Sequence, residues 1–283
     1  MTGVTDQLRI SFADIPDEVM GDALAYVAGY AVGLIRLEDS QLMGSGTLVR
    51  VGNKSGILTA RHVLDGFSKV EELGLILPKP NREKSFPMMP RIRIDATKQT
   101  TFPLETKEDA GPDLAFVELA LADVAWIGAI KSFRNLEKAR MEILSDDRNF
   151  PGSAFIVVGY PEEKSSKVYS QDRRELSMNF PGGLYLSQIE YLPDANAFDY
   201  VELTVEHNQQ DDPPPRSFGG YSGGGLWHVQ MTGNTGGELK FTRGRLFGVA
   251  FYQSGIVDGR SRIRCHFRRS VYEQLFNKVV GSI

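Results

Sequence analysis

Cysteine is nearly missing from this sequence: Cys265 is the single one in 283 residues. No internal disulfide can form, so folding does not depend on an oxidising compartment. Sandwiched in RIRCHF, Cys265 reads as an ordinary strand residue. Histidine is scarce too. The four copies lie far apart and make no HExxH pattern, and CxxC is absent, so neither a metal nor another cofactor is expected. Long hydrophobic runs are also lacking. Residues 23–35 are apolar but too few for a bilayer span. The flank before them carries Asp14, Asp17, Glu18 and Asp22, where a secretory signal would be basic. The run is expected to be a short helix from about Pro16 leading into a first strand, in a cytoplasmic protein with no membrane partner. Excess positive charge is lacking as well: the formal net charge is −4, which argues against nucleic acid as a partner. The local basic run Arg260 to Arg269 reads as a solvated strand edge or turn.

What is present is ordinary for a soluble globular chain long enough to bury a sizeable core, with 41% apolar and 24% charged residues. From Gly33 onward, short runs of β-branched and aliphatic residues alternate with Gly, Pro, Asn and Asp: GLIRLE, GTLVRV, GILTA, DLAFVEL, AFIVVGY, YVELTV, RLFGVAFY and RIRCHF are among them. That rhythm predicts an all-β barrel or sandwich. FRNLEKARMEIL is compatible with a helix, and the Phe150-Pro151-Gly152 that follows reads as a linker. RRSVYEQLFNKVV has apolar residues at helical spacing and reads as a closing helix. The expected organisation is an N-terminal extension over 1–30, a first barrel with linker over 31–148, and a second barrel with the terminal helix over 149–283. Each half is six strands in size.

The stretch GGYSGGGLW raises the chemical question. Ser222 is either an activated nucleophile or a serine in a glycine-rich turn. A serine hydroxyl needs a base, a group to orient that base, and donors for an oxyanion. His62 lies in GILTARHVLDG, where an apolar strand runs into a tight helical turn with Val63 and Leu64 pointing inward. Asp113 follows Gly111-Pro112 and heads the alternating strand DLAFVEL. Asp65, Asp109 and Asp123 are nearby, but none heads a comparable strand.

TARHV, DLAFVEL and GYSGGGLW together resemble the histidine, aspartate and serine motifs of trypsin-like serine proteases, and they occur in that family's His, Asp, Ser order. GSGTLV, AFIVVGYP and RLFGVAFY are similar to further strands of that fold, so the resemblance covers most of residues 30–280. The lack of disulfides looks more like the bacterial branch. The resemblance implies two six-stranded antiparallel β-barrels of chymotrypsin-like type, with a short N-terminal helix and a C-terminal helix. It implies a serine endopeptidase acting on protein or peptide substrates. His62 would be general base and then acid, Asp113 would orient it, and Ser222 would attack. The backbone N–H groups of Gly220 and Ser222 would form the oxyanion hole. Arg216 would stand at the base of the primary pocket if it points inward, with solvent as the alternative. Phe251, Tyr252 and Gln253 would line the substrate groove.

Several residues depart from the family pattern. Tyr221 stands where secreted trypsins carry an aspartate that binds a freshly cut N-terminus, and the residues ahead of the first strand carry no evident activation site, so zymogen activation of that kind is not expected. Gly225 replaces the usual proline, and Val63 replaces a disulfide cysteine. Two alternatives stay open. One is a catalytically silent binding module on the same fold. The other is an esterase, because GYSGG also satisfies Gly-x-Ser-x-Gly, with Asp258 and His266 to complete a triad. An intracellular protease would be regulated or latent, which implies a regulatory protein partner.

Overall fold

The computed structural model describes residues 15–67, 72–77, 91–102, 111–146, 154–164, 166–170, 175–179, 183–195, 197–208, 214–233 and 238–281. Asp109, Phe150–Gly152 and residues 209–213 lie outside them. The chain is mostly β, with two large antiparallel sheets and few helices.

The first sheet comes from the first half of the chain: β1 (Ala31–Ile35), β2 (Leu42–Val51), β3 (Lys54–Thr59), β4 (Glu72–Ile76), β5 (Arg91–Asp95), β6 (Gln99–Phe102), β7 (Leu114–Glu118) and β8 (Arg134–Asn135). Its order is β5-β4-β1-β2-β3-β7-β6, and β8 adds a short parallel pairing to β2. The second half supplies β9 (Ala154–Gly159), β10 (Ser166–Ser170), β11 (Glu175–Asn179), β12 (Gly183–Ser187), β13 (Ile189–Tyr191), β14 (Tyr200–Glu206), β15 (Gly225–Gly233), β16 (Leu239–Gln253) and β17 (Arg260–His266). Seven of these form a sheet in the order β12-β9-β15-β16-β17-β14-β13, while β10 and β11 make a separate hairpin. The sheets therefore hold eight and seven strands, against the six per half expected. Strands as short as the two residues of β8 carry no period-2 signal of their own.

Strands such as β1, β3 and β7 are apolar on both faces because both faces are covered. Leu48, Ile57, Leu58 and Phe116 of the first sheet and Phe155, Leu226, Trp227 and Phe247 of the second belong to one contiguous buried core.

Helices tie the two sheets together. α1 (Asp17–Ala28) starts after Pro16, with acidic Asp17 and Glu18 in its first turn, a favourable place for negative charge. It lays Tyr26 edge-on against Trp227 of β15. α2 (Arg61–Asp65) is a single turn after β3. α3 (Leu121–Gly128) follows β7, where the sequence carries no clear helical signal. α4 (Leu136–Leu144) lies within the expected helical stretch, and the Asn135 side chain caps it by accepting from Lys138 N–H. The closing helix begins as a π-helical turn over Ser270–Leu275 and continues as α5 (Phe276–Gly281). It reaches both sheets: Lys54 Nζ donates to the Val279 carbonyl, and Tyr272 Oη donates to the Leu246 carbonyl.

Among the described residues no helix is long and apolar enough to cross a membrane. The arginines of β17 are paired locally. Arg260 pairs with Glu206, and Arg262 and Arg264 both pair with Glu202 across the β14–β17 ladder.

Candidate active site

Strand pairing brings His62 to Asp113. β3 and β7 run antiparallel with Thr59 opposite Ala115. Beyond that pair the chain passes through Ala60 into α2, while Asp113 immediately precedes β7, so His62 and Asp113 meet at the same end of the two strands. Val63 and Leu64 anchor the α2 turn in the core, while the His62 side chain stays 40% exposed. Asp113 is 1% exposed and accepts twice from one residue. The His62 backbone N–H donates to Oδ1 at 2.8 Å, and the ring Nδ1 donates to Oδ2. An ionised carboxylate is acceptor-only, so Nδ1 carries a proton, and in the neutral imidazole the lone pair is then on Nε2. That is the tautomer a general base requires.

The other histidines are engaged differently. His207 Nε2 contacts Ser261 Oγ at 2.8 Å. His228 is buried and its Nδ1 accepts from Arg245 Nη2, where the guanidinium also meets Asp146. His266 is fully buried and its Nε2 accepts the Asp113 backbone N–H at 3.2 Å. Burial holds the His266 ring down to about 4, against the opposing pull of the Asp113 charge.

The Ser222 loop is built from backbone. Tyr221 N–H donates to the Phe218 carbonyl and Gly224 N–H to the Tyr221 carbonyl, which makes two consecutive tight turns. Gly223 N–H donates to the Ala250 carbonyl, and Ala250 N–H donates back to Gly224. Gly220 and Gly223 adopt φ of +91° and +85°, a region that disfavours side chains. Space forbids side chains too. A Cβ on Gly220 would lie 2.1 Å from the Tyr160 carbonyl oxygen, and one on Gly223 would lie 2.1 Å from the Ser45 carbonyl oxygen.

Ser45 of β2 is the residue that grips this loop, a role the sequence does not announce. Its N–H donates to the Ser222 carbonyl at 2.8 Å, and its hydroxyl donates to the Gly220 carbonyl. Thr59 Oγ1, three residues before His62, donates to the Ser45 carbonyl at 2.8 Å. Gly44 is wedged between Val63 and the Ser222 carbonyl. Ser222 therefore lies against β2, the strand paired with the β3 that leads into His62, at the junction of the two sheets. Gly44 and Gly46 on either side of Ser45 were the available signal, since each marks a close approach.

Among the described residues no acceptor takes the N–H of Gly220 or of Ser222, whereas those of Gly219, Tyr221, Gly223 and Gly224 are all committed. The Gly219 carbonyl accepts from Glu162 N–H at 2.8 Å. Because the peptide unit is planar, this turns the Gly220 N–H away from Glu162. The Ser222 hydroxyl makes no hydrogen bond to His62 in this structure, an arrangement common in sites without substrate.

The remaining candidates have clear positions. Arg216 is exposed, the solvent-facing alternative, and its backbone carbonyl accepts from Gln253 Nε2 at 3.2 Å. Gln253 Oε1 accepts from Phe218 N–H at 2.7 Å, so this side chain clamps the loop ahead of Ser222. Phe251 is buried against the His266 ring, with centroids 4.6 Å apart, and faces the core. Tyr252 is half-buried under the Arg264 guanidinium. A bulge between Ala250 and Tyr252 sets these directions. Tyr221 is buried against the Phe218 ring, at 4.9 Å between centroids, where its phenol is pushed up by burial. Tyr221 thus anchors the loop by apolar packing. A nucleophile elbow needs a helix after its serine, but strand β15 follows Ser222, and Asp258 sits in an exposed turn at φ +51°. The esterase arrangement is therefore not formed. Among the described residues no cluster of three His, Cys, Asp or Glu could hold a metal ion.

No protein-family model matches the chain, and no curated protein matches it in sequence.

Proposed function

We propose that the chain is a serine endopeptidase of the trypsin-like kind, working through His62, Asp113 and Ser222. The observation that carries this is the His62–Asp113 pair, which leaves Nε2 as a free base at a junction shared with the Ser222 loop. Nε2 takes the Ser222 proton as Oγ bonds to the substrate carbonyl carbon, and the carbonyl electrons move to oxygen. The uncommitted N–H groups of Gly220 and Ser222 hold that oxyanion. Asp113 stays ionised and stabilises the imidazolium. Collapse breaks the C–N bond, and the departing amine takes the proton from Nε2. Water then repeats the sequence on the acyl-enzyme, releasing the carboxylate product and restoring Ser222.

The same reading makes each sheet a closed barrel of the chymotrypsin type. Two antiparallel sheets drawn from successive halves of the chain are what supports it. It also places the enzyme in the cytoplasm, in keeping with a single, buried cysteine. A second reading, a silent binding module on this scaffold, is favoured by one observation: the Ser222 hydroxyl is not bonded to His62.

A fluorophosphonate probe separates the two. Activated Ser222 is expected to gain one covalent adduct, mapped to its peptide, and to lose it in Ser222→Ala. Wild-type protein that neither labels nor cleaves a degenerate peptide library leaves the binding module as the reading.

A further inference from the structure

His266 sits in a cage that an apolar ring would fill equally well. Phe198, Tyr200 and Phe251 surround it, with ring centroids 5.9, 5.2 and 4.6 Å away. The residue is fully buried. Since Nε2 accepts the Asp113 N–H, the ring proton is on Nδ1, and Nδ1 has no hydrogen-bond partner among the described residues. An imidazole here loses hydration and strands a donor, both of which cost stability. The compensating contact is the one lone pair offered to Asp113. A buried orphan of this kind calls for a reason.

The surrounding geometry supplies one. Asp113 immediately precedes β7 of the first sheet, but its backbone is seated on the second. His266 on β17 takes its N–H, and Tyr200, the ladder partner of His266 on β14, presses its hydroxyl end against Gly111. There is no room for a side chain at Gly111, where a Cβ would lie 2.7 Å from Tyr200 Oη. The carboxylate that orients His62 is thus aimed from the sheet that carries Ser222. We propose that His266 is a positioning residue: its neutral Nε2 fixes the Asp113 backbone so that the carboxylate receives both N–H groups of His62. The Nε2 lone pair is what acts, and a protonated ring would confront the Asp113 N–H with a second donor.

This inference rests on the triad reading for its effect on rate, but the effect on the His62–Asp113 pair does not need it. The experiment compares full-length wild type with His266→Phe, which keeps the ring packing without the acceptor, and His266→Gln, whose side-chain oxygen reaches a similar place. His266→Met repeats the first comparison with a more adaptable side chain should the Phe variant fail to fold. Two quantities are read: the downfield proton resonance of His62 Nδ1, assigned by its loss in His62→Ala, and the rate of fluorophosphonate labelling at Ser222. The Phe or Met variant is expected to shift or broaden that resonance and slow labelling by roughly tenfold to a hundredfold, and Gln is expected to restore both. An unchanged resonance in the Phe or Met variant overturns the proposal, as does a Gln variant as impaired as Phe. If wild type does not label, the protease reading fails, and the resonance still decides whether His266 positions the pair.

Discussion

The two sides of the site are held in opposite ways. On the first sheet, His62 and Asp113 are fixed by side-chain hydrogen bonds between the ends of two paired strands. On the second, Ser222 sits in a loop held mainly by backbone bonds and by glycines at positive φ, with the Ser45 hydroxyl and the Gln253 side chain as outside clamps. A side-chain bond can be removed one atom at a time, so that half should fail chemically while staying folded. A glycine turn is steric, so its failure should appear as lost stability.

The comparison breaks most sharply at Ser222. Ser222→Ala is expected to lower peptide hydrolysis by about 10⁴–10⁶ with an unchanged urea midpoint. Asp113→Asn should cost about 10³–10⁴ in turnover. The asparagine oxygen can still accept the His62 backbone N–H, but its amide group would face Nδ1 and reverse the tautomer. Retained activity in either variant would remove the assigned role. On the other side, Gly223→Ala meets both a φ of +85° and the Ser45 carbonyl oxygen. It should destabilise by about 2–4 kcal/mol in urea unfolding, and a neutral result would show that the loop is not sterically set.

A smaller effect involves pH and sharpens the contrast from beneath the pair. His266 is held at about 4 when folded, against 6.5 ordinarily, mainly by burial. As pH falls, the unfolded chain binds this proton near 6.5 while the folded chain resists until about 4. Stability present above 6.5 is therefore lost across that window, by up to about 3 kcal/mol, and stays lost below it. Urea melts across the window should show the decline, and His266→Gln should flatten it. The smallest expected effect is at the surface: Arg260→Ala breaks an exposed pair with Glu206 and should change stability by no more than about 0.5 kcal/mol.

Much of the site is legible in local sequence. GILTARH shows a strand ending in a turn, DLAFVEL a carboxylate at the head of a strand, and GYSGGG a turn with positive φ, because each pattern reflects forces acting over a few residues. The directions of Phe251, Tyr252 and Gln253 are not legible. They depend on a bulge in β16, and shifting a strand by one residue reverses the face of every side chain beyond it. Arg216 is similar, since its exposure follows from how Gln253 ties the loop. The roles of Ser45 and His266 are hidden for the same reason, as each acts on a residue far along the chain.

The sequence by itself determined the residue types, the strand rhythm, the single unpaired cysteine and the order of histidine, aspartate and serine, since composition and short-range periodicity need no partner to be read. Only the tertiary structure decided that Ser45 holds the Ser222 loop and that His266, 153 residues from Asp113, accepts its backbone N–H. A hydrogen bond of that span depends on the register of several strand pairs and on how one sheet meets the other, and neither quantity is written at any single position.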